Sequence, residues 1–391
     1  MKHRAGPPLR VAVVSLAIVW LPVVASPVSV SAQVQIDSRA MELTVSGRVQ
    51  FQAQTSSCGD GPPDPASACD TRAPELDMFL RRARLGIVAT IDERLTFKLE
   101  PDFSDIDEVA LKDAWGRYAF SPTLALKAGH FNRPFDGFYL TPSSHLPFER
   151  VVMVPGVPAG ALPSFSGLTK AAGLSDRDIG LTLEGAHDVG RFAWSLGVFT
   201  GGSASRARDT NSEKQFVGRV RYELDAGGAP LGIAGALALS DAPYVGTDGG
   251  SEAEYYSNFE LFAELGAWDR DGLLVQAGVV AGANPSVSEL GLPIDLGAGD
   301  EFADLLTWQG VAAYRIAVPD ADWLDAVTPS LRVSYADPTD LDDDEVLTFT
   351  PGIAFNFHGR NRLVVTWDVA RFADDGVRSE SSLKSHLQFL F

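Results

Sequence analysis

The stretch that decides the fold is the end of the chain, LKSHLQFLF (Leu383–Phe391). Leu383, Leu387, Phe389 and Phe391 fall at odd positions, while polar side chains occupy most of the even ones. Successive side chains of a β-strand point to opposite faces, so this spacing predicts a strand with one apolar and one polar face.

The same period of two recurs upstream in Gln215–Leu224, Leu305–Val318 and Val346–Phe357. An amphipathic helix would instead repeat its apolar residues at i, i+3, i+4 and i+7, and these segments lack that spacing. They are therefore predicted to be amphipathic strands.

The connections between the predicted strands alternate in length. The short connections are Asp92–Arg94, Ser121–Thr123, Asp188–Arg191, Asp269–Gly272 and His358–Arg362. The long connections are Ser57–Leu76, Asp136–Ser175, Gly201–Glu213, Val245–Glu254, Pro285–Glu301 and Asp337–Asp344. Counting the segments predicts about sixteen strands, joined by turns on one side and loops on the other.

Two architectures can accommodate such strands, a soluble sandwich and a closed barrel. Arg219, Glu260 and Asp368 place charges in mid-strand, which a sandwich would have to keep on its solvated faces. The alternating terminal strand that ends in Phe391 resembles the assembly signal of outer-membrane barrel proteins. Open sheet edges are not tolerated in hydrocarbon, so we predict an all-β, transmembrane antiparallel β-barrel.

The N-terminal segment is predicted to be a secretory signal peptide. Lys2, Arg4 and Arg10 precede the apolar run Val11–Val24, and Val30-Ser31-Ala32 has the small residues of a cleavage site. A membrane anchor is the alternative, but the run is short and interrupted by Pro22. The expected division is a signal peptide at residues 1–32 and a barrel domain at residues 33–391, in the outer membrane of a Gram-negative-type bacterium.

Charge and cysteine content narrow the choice of partners. The full chain of 391 residues has a net charge of −19, and removal of three basic residues with the signal peptide makes it −22. This acidity argues against a nucleic-acid partner. Cys58 and Cys69 flank a turn-rich segment, and export favours a loop disulfide between them over a metal site, because no histidine lies nearby.

The stretch from Met78 to about Gly185 resembles the phosphate-selective porin O and P family. The resemblance is carried by short motifs in a fixed order: FLRRARLG (79–86), FKLEPDF (97–103), LKDAW (111–115), LKAGHFNRPF (126–135) and FER (148–150). It implies a sixteen-stranded, homotrimeric porin whose long third loop folds into the lumen. Passive diffusion of small solutes is the expected function, and phosphate-like anions are expected partners, although the resemblance by itself does not establish phosphate selectivity.

Alternation predicts which charges point inward. The predicted pore-lining, anion-binding residues are Arg82, Arg84, Lys98, Arg117, Lys127 and Arg133. The predicted constriction loop contributes Glu149, Arg150, Lys170 and Arg177. Arginine suits phosphate and carboxylate because its planar fork bonds both oxygens. The alternative is that these bases pair with Glu100, Asp102 and Asp113 and only satisfy the barrel wall.

Several functions remain open at this point. An anion-preferring porin is expected, and a non-selective or weakly cation-selective porin is the alternative. An outer-membrane enzyme is disfavoured because no G-x-S-x-G or H-E-x-x-H motif occurs, and a structural barrel plugged by its loop is a further alternative. Neither cofactor nor metal is expected, while membrane lipid, lipopolysaccharide and the barrel assembly machinery are expected partners.

Overall fold

The structure is a computed structural model of the whole chain. It describes residues 34–38, 41–58, 76–105, 107–150, 164–187, 191–201, 214–245, 251–288, 302–340, 344–358, 360–373 and 379–391. The predicted signal peptide and Cys69 lie outside these residues, so the signal and the disulfide stay predictions.

The described chain is built almost entirely of antiparallel strands. They are β1 (Val34–Ser38), β2 (Met41–Cys58), β3 (Asp77–Ile91), β4 (Leu95–Asp102), β5 (Ala110–Ser121), β6 (Leu124–Asn132), β7 (Arg177–His187), β8 (Phe192–Phe199), β9 (Gln215–Ala226), β10 (Ala229–Val245), β11 (Ser251–Leu265), β12 (Gly272–Ser288), β13 (Phe302–Ala317), β14 (Ala326–Asp337), β15 (Val346–Phe357), β16 (Asn361–Phe372) and β17 (Glu380–Leu390). Two short helices, α1 (Gly137–Leu140) and α2 (Phe165–Ala171), lie between β6 and β7.

Strands β2 to β17 close into a barrel of sixteen strands, which confirms the predicted fold. Each strand pairs with its neighbour in sequence, and β17 returns to pair with β2 from Leu390–Arg48 to Glu380–Cys58. The short β1 pairs with the other end of β2, from Val34–Val45 to Ser38–Met41. No helix in the described part of the chain has the length and apolar character needed to cross a membrane.

The two ends of the barrel differ, as the spacing of the segments predicts. At one end, the turn side, β3 and β4 are joined by Asp92–Arg94, and β15 and β16 by residues 358–360. The opposite end, the loop side, carries the longer connections. Sequence spacing missed the tight turn Gly227–Gly228, where both residues have positive φ. It also missed the turn at residues 318–325 and the loop at residues 103–109.

The lumen is filled on one side by the described parts of the third loop, residues 133–150 and 164–176. Its side chains Phe135, Phe138, Leu146 and Phe165 are almost completely buried. They belong to a core cluster that lies inside the barrel together with small inward side chains from the strands: Ala234, Ala236, Ala238, Val280, Val311 and Ala336. Small residues on the inner face leave room for the loop, so this half of the barrel has an apolar core.

The closing seam ends in a backbone pair between the last residue and β2. Gly47 N donates to Phe391 O at 2.9 Å, and Phe391 N donates to Gly47 O at 3.1 Å. The Phe391 ring lies over Gly47, where a Cβ would come 2.0 Å from the ring. A side chain at position 47 would displace this ring.

We expect deletion of Phe391 to lower the amount of assembled barrel, because the seam loses two backbone hydrogen bonds and a ring contact. The measurement is the heat-modifiable fraction of the protein in the outer membrane on gels. Phe391→Leu is the control, since it keeps the backbone pair and should assemble better than the deletion. Equal levels of wild type and deletion would show that the terminal residue is not needed.

Candidate functional site

The third loop enters the lumen through a strained residue that is held by the far wall. Asp136 has a positive φ of 64° and caps α1 by accepting a hydrogen bond from Tyr139 N. The backbone N–H groups of Asp136 and Gly137 donate to the Glu260 carboxylate of β11, at 3.1 and 2.5 Å. Glu260 also pairs with Arg219 of β9. The start of the loop is therefore fixed across the barrel.

The Asp136 carboxyl is buried beside another carboxylate. It accepts hydrogen bonds from Tyr139 N at 2.9 Å and from the Thr169 hydroxyl at 2.7 Å. Burial, and next the negative charge of Glu260, raise the pKa of Asp136 to about 7. Its charge therefore changes within the physiological pH range.

Aromatic packing fixes the same part of the loop against β11 and β12. The Phe138 ring meets Phe165 and Phe262 edge-to-face, each with centroids 5.1 Å apart. A Cβ on Gly278 of β12 would come 2.8 Å from the Phe138 ring, so glycine provides the space. Burial of these rings makes the loop a packed part of the barrel interior.

On the opposite wall the loop is held by a buried ion pair. The Glu149 carboxylate accepts two hydrogen bonds of 2.9 Å from the Arg82 guanidinium, and Arg81 approaches it at 3.3 Å. Arg81 is the extra residue of a β-bulge between β2 and β3, which lets two successive arginines reach one carboxylate. Burial alone would raise the pKa of Glu149, but the charges of Arg82 and Arg81 hold it well below its ordinary value.

Arg332 of β14 links the loop to three strands. Its guanidinium donates to Glu149 O at 2.6 Å, to Thr350 Oγ1 at 3.0 Å and to Asp368 Oδ1 at 3.0 Å. Lys384 occupies the other Asp368 oxygen at 2.6 Å. Arg332 is completely buried, so its charge is balanced inside the protein and is not available to a solute.

The loop tip, Pro142–His145, is clamped to the seam. Arg362 of β16 donates to His145 O at 2.7 Å and to Leu146 O at 2.6 Å. Arg48 of β2 donates to Ser143 Oγ at 2.8 Å. Backbone carbonyls and a hydroxyl thus hold the tip in place at the turn side of the lumen.

Three of the predicted bases form a neutralised network on the wall. Arg84 pairs with Asp102 at 2.7 Å and with Glu100 at 3.4 Å. Lys98 pairs with Glu100 at 2.9 Å and with Asp113 at 2.5 Å. Arg177 pairs with Asp113 at 2.7 Å. Arg177, predicted in the loop, is instead the first residue of β7, so the strand and not the loop positions it.

Two further predicted residues also form ion pairs. Arg117 pairs with Glu184 at 3.0 Å, and the buried Arg133 pairs with Asp178 at 2.7 Å.

Lys127 lies between two rings, 4.5 Å from the Trp115 centroid and 4.3 Å from that of Phe131. Lys170 is half-exposed and pairs with Asp176 at 3.0 Å. Arg117, Lys127, Arg133 and Lys170 are not among the residues that line the cavity shared by Arg84, Lys98, Arg150 and Arg177.

One open part of the lumen is a cavity of about 580 Å³ between the third loop and the wall of β2 to β6, here called the wall cavity. Its charged lining residues are Arg48, Arg84, Lys98, Glu100, Asp113, Arg150, Arg177 and Arg360. Three of these, Arg48, Arg150 and Arg360, have no carboxylate within ion-pair distance among the residues that the structure describes. The wall cavity therefore carries an excess of positive charge.

Sequence reasoning missed several arginines of the site. Arg48 and Arg362 fall on the polar faces of alternating segments, so the period of two could have found them. Arg81 would have been placed outward, because alternation does not reveal a bulge. Arg360 lies in a turn, where the alternation of a strand cannot predict the direction of a side chain. Its place in the site follows from its contact with His145 of the loop tip.

Comparison with known proteins agrees with this geometry. The sequence profile of the family described as phosphate-selective porin O and P matches residues 70–243, which confirms the resemblance and extends it beyond Gly185. No curated protein sequence matches the chain.

Solved outer-membrane channels share the fold at low identity. The channel DcaP of Acinetobacter baumannii is 11% identical with a TM-score of 0.57, covering 90% of this chain and 99% of its own. OprB of Pseudomonas putida is 10% identical with a TM-score of 0.54, covering 89% and 94%. The trimer form of OmpT of Vibrio cholerae is 12% identical with a TM-score of 0.51, covering 90% and 100%. At these identities the likeness shows the fold alone.

We expect Glu149→Gln to loosen the third loop, because it leaves Arg81 and Arg82 without their buried counter-charge. Removing one partner of a buried ion pair typically costs about 3–5 kcal/mol. Limited proteolysis of the loop and single-channel current noise should both increase. Glu223→Gln, an exposed carboxylate paired with Arg221, is the matched control, and equal behaviour of the two variants would contradict the anchoring role of Glu149.

We expect docking of the loop to weaken as the pH rises through the pKa of Asp136. Its pKa is raised from 3.8 to about 7, so the protonated form is favoured when the loop is docked. Docking of the loop is therefore strongest at a pH below the ordinary pKa of 3.8 and weakens progressively until the pH reaches the raised pKa of about 7. Above that pH the full free-energy cost of burying the charged carboxylate remains. The measurement is single-channel current noise between about pH 4 and pH 8, a range that spans both pKa values. The noise should rise with pH in wild type and stay flat in Asp136→Asn. The exposed control Asp320→Asn should follow wild type, and a flat wild-type profile would refute the effect.

Proposed function

We propose that this chain conducts small solutes with a preference for anions. The proposal starts from its outer-membrane porin barrel and from the porin O and P family match over residues 70–243. The observation that carries the preference is a group of three arginines in the wall cavity, Arg48, Arg150 and Arg360, which have no carboxylate partner within the described part of the chain. Burial lowers the pKa of Arg150 to about 10, which leaves it cationic at neutral pH.

The acidic net charge opposes this preference only at a distance. At physiological salt the Debye length is about 8 Å, so exposed carboxylates outside the lumen are largely screened. Charges that line a narrow cavity with low-dielectric walls are screened less, and they focus the field along the path. The local positive charge should therefore decide which ions enter.

The predicted bases act mainly as a framework in this proposal. Arg84, Lys98 and Arg177 are balanced by Glu100, Asp102 and Asp113, as the alternative interpretation of the sequence expected. Paired arginines still present N–H groups to a passing oxyanion, so they remain part of the proposed path. Phosphate-like anions fit this lining because guanidinium groups bond two oxygens at once.

A second candidate is a non-selective or weakly cation-selective porin. It is favoured by the neutral balance of the ion-pair network and by the net charge of −19. The two candidates differ in the sign of the reversal potential in a salt gradient.

We also propose that residues 1–32 direct export and that the barrel forms a homotrimer in contact with lipopolysaccharide. The trimer is supported by the trimer form of OmpT, which shares the fold. Insertion would pass through the barrel assembly machinery, with Phe391 as part of the signal.

We expect the double variant Arg48→Gln/Arg150→Gln to shift the reversal potential in a potassium chloride gradient toward the cation value. Removing two nearby charges that have no carboxylate partner among the described residues should lower the anion-to-cation permeability ratio about two- to fivefold. The control is Arg191→Gln/Arg270→Gln, which removes the same charge from two exposed turns. A cation-selective wild type would refute the proposal, and failure of inorganic phosphate to reduce the chloride current would restrict it to a general anion preference.

A further inference from the structure

The loop tip divides the turn-side mouth of the lumen into two cavities. Besides the wall cavity there is a second cavity of about 470 Å³, here called the mouth cavity. It lies between the tip and the turns that join β11 to β12, β13 to β14 and β15 to β16. The linings of the two cavities have two residues in common, Ser144 and Arg360.

Arg360 differs from the other arginines of this mouth in what it binds. Arg362 uses its terminal nitrogens on backbone carbonyls of the tip, and Arg315 pairs with Asp271. Arg360 is exposed, and its side chain makes one hydrogen bond within the described chain, from Nη1 to His145 Nε2 at 3.0 Å. A guanidinium has five N–H donors, so most of those of Arg360 face open space.

The contact with His145 does not pair Arg360 with a carboxylate; Asp269 and Asp325 also line the mouth cavity, but no carboxylate of the described residues lies within ion-pair distance of Arg360. A guanidinium only donates, so His145 Nε2 must be an unprotonated acceptor. Burial, and next the charges of Arg360 and Arg362, lower the pKa of His145, which keeps the ring neutral at neutral pH. The imidazole therefore positions the guanidinium without neutralising it.

We propose that Arg360 forms an anion-binding site shared by both cavities at the turn-side mouth, where an inorganic oxyanion or a carboxylate entering or leaving either cavity contacts its guanidinium. The inference rests on the proposed anion preference and assigns it a residue outside the predicted wall. The site binds weakly and transiently, because it has one strong cation and is open to solvent on both sides.

The test compares Arg360→Gln, Arg360→Lys and Arg270→Gln in planar bilayers. The readouts are the reversal potential in a potassium chloride gradient and the inorganic phosphate concentration that halves the chloride current. Arg360→Gln should lower the anion-to-cation permeability ratio about twofold and raise the half-blocking phosphate concentration by a similar factor. Arg360→Lys keeps the charge and should retain the wild-type reversal potential, and Arg270→Gln, an exposed turn arginine that lines neither cavity, should resemble wild type.

A further variant separates the charge from the docking of the tip. His145→Gln keeps a neutral acceptor for Arg360, so both readouts should stay closer to wild type than those of Arg360→Gln. If Arg360→Gln behaves like Arg270→Gln in an anion-selective channel, the inference is wrong while the proposed function stands. If His145→Gln matches Arg360→Gln, the effect comes from the tip and the inference is wrong. A cation-selective wild type overturns the proposed function itself.

Discussion

A sheet in hydrocarbon cannot leave an edge unpaired, and the pairing of β17 with β2 meets this requirement. Closure determines the rest of the architecture. Every strand then has an outer face toward lipid and an inner face toward a lumen of set width. The outer faces carry exposed apolar residues such as Phe97, Trp308 and Trp367. The inner faces carry the charged side chains, so the groups that fill the lumen have to pair with them or form hydrogen bonds to them.

The third loop makes different kinds of contact with the two halves of the barrel wall. Toward β9–β14 it contributes aromatic side chains to an apolar core, and small inward residues accommodate them. Toward β2, β3 and β14–β17 it offers a carboxylate and backbone carbonyls to arginines, as at Glu149, Arg82 and Arg332. A buried charge without a partner is costly, and Arg82, Glu149, Arg332 and Asp368 meet opposite charges there, whereas Arg48 and Arg362 are held by neutral acceptors. The polar half remains partly open, and the wall cavity lies there.

The distinction between paired and unpaired cations connects this architecture to ion selectivity. Arg84 and Lys98 lie between carboxylates, so their contribution to the field along the lumen is mostly cancelled. Arg48, Arg150 and Arg360 are held by a hydroxyl, a carbonyl and an imidazole nitrogen. Neutral acceptors also position a guanidinium, but they leave its charge in place. In this chain the loop tip supplies two of these three acceptors, Ser143 and His145.

The sequence by itself determined the barrel, its strand number, the unequal lengths of turns and loops, and the inward position of Arg82, Arg84 and Lys98. These features follow from the alternation of apolar and polar residues and from the polar turn and loop segments between the strands, which are local properties of the sequence. It did not reveal the bulge that turns Arg81 inward, the strand position of Arg177, or the apolar core formed with β10, whose segment is apolar on both faces. Which arginines keep an uncompensated charge was decided only by the tertiary structure, because an ion pair depends on where a loop from a distant part of the chain places its carboxylates and carbonyls.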